Sequence, residues 1–411
     1  MSARLLQDDH EVTFYEAEPE VGGNARPAVV HDGGERLEVA MGPTYFLRSD
    51  YRVLMAIFAE LGVETERAAV SLSVYGDDGE PRFVSPTLRP PRLHPLLARR
   101  SLQDLAGWRK VLGATLELRR RGDATTTWGA WAPSLGLAAR FVQDIAEPVA
   151  AAFNGVTFEQ LQAVSASAAL VYPALAMPTP TRGAPAPVMV RGGTQRWIER
   201  IAGRLDRVRL RPGDPVRQVT REGDALTLVS DGEVGRYDAV VVTVPLWSAG
   251  DILGGVVAEA AATVPSTDAE LVVHRDAGRV RRDPRSDSEV NVGRSGGAAH
   301  LTTAAGRLAG REVFRSWTTH DPHPTGEVLA RHRYRHAMPV PALRRAQEAL
   351  RAVDGVDGIH LAGSWTRDID SHESAVASAV EVAGRLAPRR LDGRGLLPAR
   401  APLGFVQRAR F

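Results

Sequence analysis

The sequence predicts an α/β protein that contains a parallel sheet and folds into two lobes. Residues 12–15 form a short β-branched and aromatic run, and residues 237–244 form a longer run of the same kind. Such runs are typical of strands in parallel sheets, which are buried on both faces. Residues 358–366 have the composition of a strand and a turn and precede an Ala- and Val-rich helix. The length of 411 residues exceeds what a single hydrophobic core usually spans, so two lobes are expected.

The composition excludes several classes of function. With 51 Lys and Arg against 49 Asp and Glu, the net charge is +2, which gives little reason to expect nucleic acid as a partner. The chain has no cysteine, so disulfides, thiolate metal sites and a cysteine nucleophile are excluded. No apolar run is long enough to cross a membrane, and the N-terminal residues lack the pattern of a signal peptide. We therefore expect a cytoplasmic protein without an integral membrane segment.

The first half of the chain predicts a helix, a hairpin and then several helices. Residues 50–62 place apolar side chains at helical spacing, and Gly62 marks the end of that helix. Residues 70–85 alternate as a hairpin, and prolines between 81 and 95 predict a linker. Further helices are predicted at 101–121, 134–152 and 157–171, followed by a proline-rich loop at 173–187.

The second half predicts mostly strands. Thr194 is expected to cap a helix that runs to residue 205. Strands are predicted at 208–210, 215–219, 226–230, 237–244 and 270–276. The arginine-rich run 279–285 is interpreted as a solvated face, and an amphipathic helix is expected within 339–352.

A second motif follows the first predicted strand. Glu16 stands at the C-terminal tip of that strand, where a dinucleotide fold places a carboxylate that accepts hydrogen bonds from ribose hydroxyls. Gly22 and Gly23 allow the backbone to approach a ligand closely, and Arg26 beside them can face a pyrophosphate. Taken alone, the glycine pair is equally consistent with an ordinary turn.

The spacing of Glu16, Gly22, Gly23 and Arg26 resembles the second βα segment of the superfamily of flavin-dependent amine oxidases, protoporphyrinogen oxidases and phytoene desaturases. Within it, the chain is most similar to a bacterial branch of predicted NAD/FAD-binding proteins. The segments that carry this resemblance are 147–152, 191–194, 273–276, 334–336 and 372–373. Only the central His372 and Glu373 of the branch's usual Gly-Phe-His-Glu-Asp segment are present.

The resemblance implies FAD as the cofactor. Residues 41–43 would pass beside the flavin ring, the backbone at Val216 would read the adenine edge, and the C-terminal turn and helix would contact the ribityl chain and the pyrimidine ring. A helix N-terminus suits that last position, because its partial positive charge stabilises the negative charge of a reduced flavin. The FAD-binding residues so implied are Glu16, Ala17, Gly22, Gly23, Arg26, Met41, Gly42, Pro43, Val216, Gly363, Ser364, Ser371, His372 and Glu373.

The resemblance also implies a domain organisation. A Rossmann-like FAD-binding lobe would comprise residues 1–66, 188–245 and 354–390, and an interleaved α+β substrate lobe would comprise residues 67–187 and 246–353, with a basic tail at 391–411. We expect residues 12–15 and 237–244 to share one sheet.

The implied reaction is an oxidation or desaturation that moves a hydride from a small apolar or amine-bearing substrate to flavin N5. A flavin-dependent isomerase and a flavin-free, non-catalytic descendant are the alternatives. Many related oxidases place a lysine near flavin N5, but Lys110, the only lysine, lies in a predicted helix of the substrate lobe. The catalytic base is unassigned; His274, His336 and His372 are candidates, each better explained by a structural role.

The glycine-rich turn that opens such a lobe does not appear in the sequence, which begins with residues that resemble the later part of the following helix. That turn supplies backbone N–H groups to the pyrophosphate. We therefore expect the 411-residue chain to bind FAD weakly or not at all, compared with a form extended upstream through such a turn. Stoichiometric, tightly bound FAD in the 411-residue protein would contradict this expectation.

Overall fold

The computed structural model describes residues 1–68, 70–88, 91–176, 187–279, 286, 288–304, 312–320, 324 and 326–388. Most of the predicted loop at 173–187, nearly all of the arginine-rich run 279–285 and the whole tail at 391–411 lie outside these residues.

Fourteen α-helices lie in the described ranges, and several are single turns. In chain order they are α1 Ser2–Leu6, α2 Arg52–Leu61, α3 Arg99–Arg121, α4 Trp128–Trp131, α5 Ala139–Phe141, α6 Glu147–Asn154, α7 Phe158–Leu161, α8 Ala166–Ala169, α9 Val171–Leu175, α10 Gln195–Ala202, α11 Leu246–Leu253, α12 Gly255–Thr263, α13 Pro341–Arg351 and α14 His372–Leu386. None of these helices combines the length and apolarity that a membrane span requires.

The strands of the described residues number twenty-one. They are β1 Val12–Glu16, β2 Pro27–Asp32, β3 Glu35–Ala40, β4 Phe46–Leu47, β5 Thr65–Arg67, β6 Leu72–Tyr75, β7 Pro81–Val84, β8 Thr87–Leu88, β9 Pro91–Arg92, β10 Pro187–Val190, β11 Val208–Pro212, β12 Val216–Glu222, β13 Ala225–Ser230, β14 Val234–Tyr237, β15 Val240–Val242, β16 Ser266–His274, β17 Val290–Ser295, β18 Ala298–Thr303, β19 Phe314–Trp317, β20 Val328–Ala337 and β21 Ile359–Leu361.

The largest sheet is mixed and has seven strands in the order β20-β16-β19-β18-β17-β6-β7. One face of its β17 and β18 end packs on α6 and on a core around Trp128 and Ile145. A second core joins α1, α2, α10 and α14, and Leu54, Ile57 and Val380 are fully buried in it.

The helix predicted at 50–62 is confirmed as α2, whose buried side chains are the five apolar ones at helical spacing, and Gly62 ends it with a left-handed φ of 67°. The hairpin at 70–85 is confirmed as β6 and β7. The helix predicted at 134–152 begins later, at Ala139, and includes a π-helical turn before α6.

The prediction that residues 12–15 and 237–244 share a sheet is wrong. β1 pairs in parallel with β11 only, and the run 237–244 divides between β14 and the short β15, which pairs in parallel with β21. The burial of β15 is also only partial at its first two residues.

Side chains bind backbone N–H groups along the free edge of β21 and of the turn that follows it. Asp354 accepts the N–H of Leu361 at 2.9 Å, and the hydroxyl of Ser378 accepts the N–H of Gly363 at 2.8 Å. An edge whose donors are satisfied by side chains does not need a neighbouring strand. Val12 of β1 and Val241 of β15 nevertheless pack against the same hydrophobic core.

Candidate functional site

The end of β1 lies against the segment that leads into β12. The carbonyl of Glu16 accepts the N–H of Asp214 at 2.9 Å, and Val216 opens β12 two residues later. The Glu16 carboxylate accepts the N–H of Glu18 at 3.1 Å. The fold thus brings Glu16 and its exposed neighbour Ala17 close to the segment that precedes Val216.

The glycine pair forms a tight turn beside Arg26. The φ angles of Gly22 and Gly23 are 127° and 52°, both in the left-handed region. A Cβ at Gly22 would lie 2.9 Å from the Cγ of Arg26, so this turn requires glycine. Arg26 pairs with Glu18 at 3.5 Å.

Two side chains of the large sheet hold the loop at residues 41–43. The hydroxyl of Tyr334 donates to the Met41 carbonyl at 2.5 Å, and Arg315 Nη1 donates to the Gly42 carbonyl at 3.0 Å. Arg315 also binds the Ala40 carbonyl. Arg315 is only 9% exposed, and this burial lowers the pKa of its guanidinium. A buried cation therefore fixes the backbone of this loop.

Thr194 holds the same loop and does not cap a helix as predicted. Its backbone is already helical and its side chain makes no capping hydrogen bond. The hydroxyl instead donates to the Pro43 carbonyl at 3.3 Å. The capping prediction is wrong because the hydroxyl binds a carbonyl 151 residues away.

The C-terminal turn and helix have the predicted form. Gly363 has a φ of 130°, and Ser364 opens a single 3₁₀ turn. Ser371 caps α14, because its hydroxyl accepts the N–H of Ser374 at 3.0 Å.

Glu373 binds another helix. Its two carboxylate oxygens accept the N–H groups of Val53 and Leu54, each at 2.9 Å, at the start of α2. The side chain is buried, and this burial raises the pKa of its carboxyl. Glu373 thus caps α2 from α14, which is a structural role that the sequence did not indicate.

His372 lies between the aromatic rings of Phe46 and Trp197, at centroid distances of 5.7 and 5.5 Å. Burial lowers the pKa of its imidazole to about 4, so the ring is neutral at physiological pH. Its Nδ1 is buried and has no hydrogen-bond partner among the described residues.

We expect His372→Phe to make stability less dependent on pH. The depressed pKa means that the folded state binds this proton less readily than the unfolded state. His372 therefore contributes stability above pH 6.5, and that contribution is lost as the pH falls toward 4, by about 3 kcal/mol in all. Denaturant unfolding at pH 7.5 and 4.5 measures this. An equal acid-induced loss in the variant and the wild type would contradict it.

His336 forms a dyad with Asp370. Its Nδ1 lies 2.9 Å from Asp370 Oδ2. Desolvation raises the pKa of the Asp370 carboxyl, whose side chain is 48% exposed, but hydrogen bonds from His336 and Ser364 outweigh it and hold the pKa below its ordinary value. The ionised carboxylate accepts from Nδ1–H, so Nε2 is the acceptor in the neutral tautomer that makes this bond. That Nε2 is buried and unpartnered among the described residues.

His274 lies elsewhere, inside the large sheet. It is fully buried, its Nδ1 accepts the N–H of Asp276 at 3.0 Å, and its Nε2 lies 2.7 Å from the hydroxyl of Ser316. Of the three candidate histidines, His274 is thus a structural residue of the core.

Aromatic residues around the dyad are the part that the sequence analysis did not identify. Tyr334 and Trp317 have ring centroids 5.7 and 5.9 Å from that of His336, and His332 lies 4.3 Å from Tyr334. Residues 332, 334 and 336 are every second residue of β20 and therefore share one face of the strand. This two-residue spacing is the sequence signal that could have identified them. Lys110 lies on the exposed side of α3.

These features place a polar site beside an aromatic wall in an α/β fold. A family model for flavin containing amine oxidoreductases matches residues 1–295, and the chain belongs to this family. It is therefore a FAD-dependent oxidoreductase of the amine oxidase superfamily, as the sequence predicted. No curated protein matches the chain in sequence.

Solved structures share the fold at low sequence identity. Cyclohexylamine oxidase from Brevibacterium oxydans IH-35A is 15% identical, with a TM-score of 0.62 over 94% of this chain and 96% of that one. Putrescine oxidase bound to putrescine is 16% identical (TM-score 0.61, 95% and 96%), and a CLA-producing fatty acid isomerase from P. acnes is 14% identical (TM-score 0.62, 95% and 96%). At such identities the likeness concerns the fold alone.

The residues present fit FAD on two observations. A Cβ at Gly42 would lie 3.1 Å from the Asn24 carbonyl and 3.8 Å from His372 Nε2, so the backbone of the loop at 41–43 lies close to the start of α14. The buried, unpartnered nitrogens of His336 and His372 call for polar partners that the described residues do not supply.

Proposed function

We propose that this protein oxidises or desaturates a small apolar or amine-bearing substrate at the wall formed by Trp317, Tyr334 and His336. The observation that carries the proposal is the His336–Asp370 dyad, with its buried, unpartnered Nε2 beside two aromatic rings. The names of two structural neighbours, cyclohexylamine oxidase and putrescine oxidase, support the choice of an amine.

The cofactor would lie along the residues that the sequence singled out. Glu16 and Ala17, with the backbone near Val216, would hold the adenosine. Gly22, Gly23 and Arg26 would face the pyrophosphate. The loop at 41–43, the turn at Gly363 and Ser364, and the start of α14 at Ser371 and His372 would hold the ribityl chain and ring. Glu373 would act indirectly, by fixing α14 against α2.

Bound FAD would supply the acceptor for the hydride and its two electrons, at flavin N5. The protein's own residues handle the proton. Asp370 holds His336 as the tautomer protonated on Nδ1, so Nε2 can accept a proton from a substrate N–H or C–H group. Trp317 and Tyr334 would orient an apolar substrate body.

The test is anaerobic mixing of FAD-loaded protein with a panel of alkyl amines, cyclic amines and unsaturated lipids, followed through the visible absorbance of the flavin. We expect at least one amine or apolar compound to bleach the flavin and to yield a product with two fewer hydrogen atoms. Conversion of a compound to an isomer, with no net reduction of the flavin, would instead identify an isomerase. No bleaching and no product across the panel would contradict the proposal.

A further inference from the structure

A cluster of leucines lies exposed where the chain enters α3. Leu93, Leu96, Leu97 and Leu102, here called the leucine patch, expose 47, 40, 87 and 49% of their surface. Leu97 is the most exposed large hydrophobic residue of the described chain. Single exposed leucines are ordinary, but four within ten residues form an apolar patch that marks an interaction site.

The backbone of residues 94–97 keeps part of the leucine patch exposed to solvent. Residues His94–Leu97 form a single 3₁₀ turn, and Pro95 of that turn is buried. The buried proline anchors the turn on the protein, while Leu96 and Leu97 on the same turn remain exposed. The patch is therefore part of an ordered, anchored turn.

Four exposed cations accompany the leucine patch on α3. Arg99, Arg100, Arg109 and Lys110 are all exposed, and no ion pair joins any of them to another described residue. The one acidic residue of the segment 93–110, Asp104, is buried and paired with Arg140, and Arg100 also attracts it electrostatically. The segment 93–110 therefore carries an excess of positive charge.

The position of two of these cations argues against a purely structural role. Arg99 and Arg100 are the first two residues of α3. A helix N-terminus carries partial positive charge, so cations there oppose the helix dipole. An anionic partner would offset this cost. A partner that is also apolar would in addition cover the exposed leucine side chains.

We propose that the leucine patch and its four cations dock the protein on an anionic lipid surface. A turn with protruding leucines inserts into the boundary between headgroups and acyl chains, and the flanking cations contact the anionic headgroups. This inference is independent of the reaction proposed for the His336 site.

The test is co-sedimentation of the full chain with vesicles of phosphatidylcholine alone and of phosphatidylcholine with phosphatidylglycerol. We expect binding to the anionic vesicles, weakened by added salt, and little binding to the neutral ones. Leu97→Glu should weaken binding by about tenfold or more, because it places a charge where the patch enters the lipid. Arg99→Glu together with Arg100→Glu should remove the preference for anionic vesicles.

Val234→Glu is the matched control, since Val234 is 68% exposed and lies on β14, outside the leucine patch. It should bind vesicles as the wild type does, and because Leu97 and Val234 are both exposed, neither change should alter the circular dichroism of the fold. The proposal is overturned if the wild type does not bind anionic vesicles, or if Val234→Glu loses as much binding as Leu97→Glu. It is also overturned if Leu97→Glu changes only the protein's oligomeric state.

Discussion

Glu373→Ala is expected to lower the free energy of unfolding by about 2–4 kcal/mol. The carboxylate accepts two backbone N–H groups at the start of α2, and all three residues involved are buried. Alanine would leave both donors without a partner in a place that water reaches poorly, and it would remove a negative charge from the positive end of the helix. The shift of the denaturant midpoint, followed by circular dichroism, measures the loss.

Two further variants test whether the loss of stability comes from the missing helix cap or from any change in α14. Glu373→Gln keeps one carbonyl oxygen as an acceptor and should lose about half as much stability. Glu381→Gln changes a carboxylate of the same helix whose side chain is 44% exposed and keeps an acceptor for Arg367, which is only 13% exposed, so it should cost less than about 1 kcal/mol. Equal midpoint shifts for Glu373→Ala and Glu381→Gln would show that the cap is unimportant.

His336→Gln is expected to slow substrate-driven bleaching of the flavin by about 10²-fold or more. Glutamine retains a hydrogen bond to Asp370 but has no basic nitrogen to replace Nε2. Rapid mixing under anaerobic conditions, with a substrate identified from the panel, measures the rate. Because the change lies in the proton acceptor, FAD affinity should change by less than about threefold.

Two further variants test this role of His336: Asp370→Asn changes its partner, and His31→Gln is the control. Asparagine can donate to Nδ1 and thereby favour the opposite tautomer, so Asp370→Asn should also slow bleaching. His31 is exposed on β2, and its replacement should leave the rate unchanged. A His336→Gln variant that bleaches within twofold of the wild type would exclude His336 as the proton acceptor.

The helices α2 and α14 could be predicted from the sequence because the residues that determine them are close together in the chain. The spacing of Leu54, Ile57 and Leu61 with Gly62 determined α2, and Ser371 before an Ala- and Val-rich run determined the start of α14. The FAD class followed from motifs of a few residues around Glu16, Gly22 and Gly23. The family match over residues 1–295 confirms that class.

Long-range hydrogen bonds account for what sequence reasoning missed. Arg315 and Tyr334 hold the loop at 41–43 from 273 and 293 residues away. Glu373 caps a helix that begins 321 residues earlier, and no local pattern distinguishes this role from a contact with a ligand. The pairing of β1 with β11 and of β15 with β21 likewise joins segments that are far apart in the sequence, which no local pattern specifies.

Titration of FAD into the purified protein, followed by flavin fluorescence, tests the central claim most directly. Because the chain belongs to a family of flavin-dependent enzymes, the account predicts weak but saturable binding of one FAD per chain, and no longer the complete absence of binding that the sequence alone left open. Glu16→Ala should weaken it by about tenfold or more, because a charged hydrogen bond to the ribose is lost. Gly42→Val should weaken it further, because its side chain meets the Asn24 carbonyl. Glu199→Ala, an exposed carboxylate on α10, should have no effect. Absence of saturable binding at millimolar FAD, or equal affinities for Glu16→Ala and Glu199→Ala, would contradict the account.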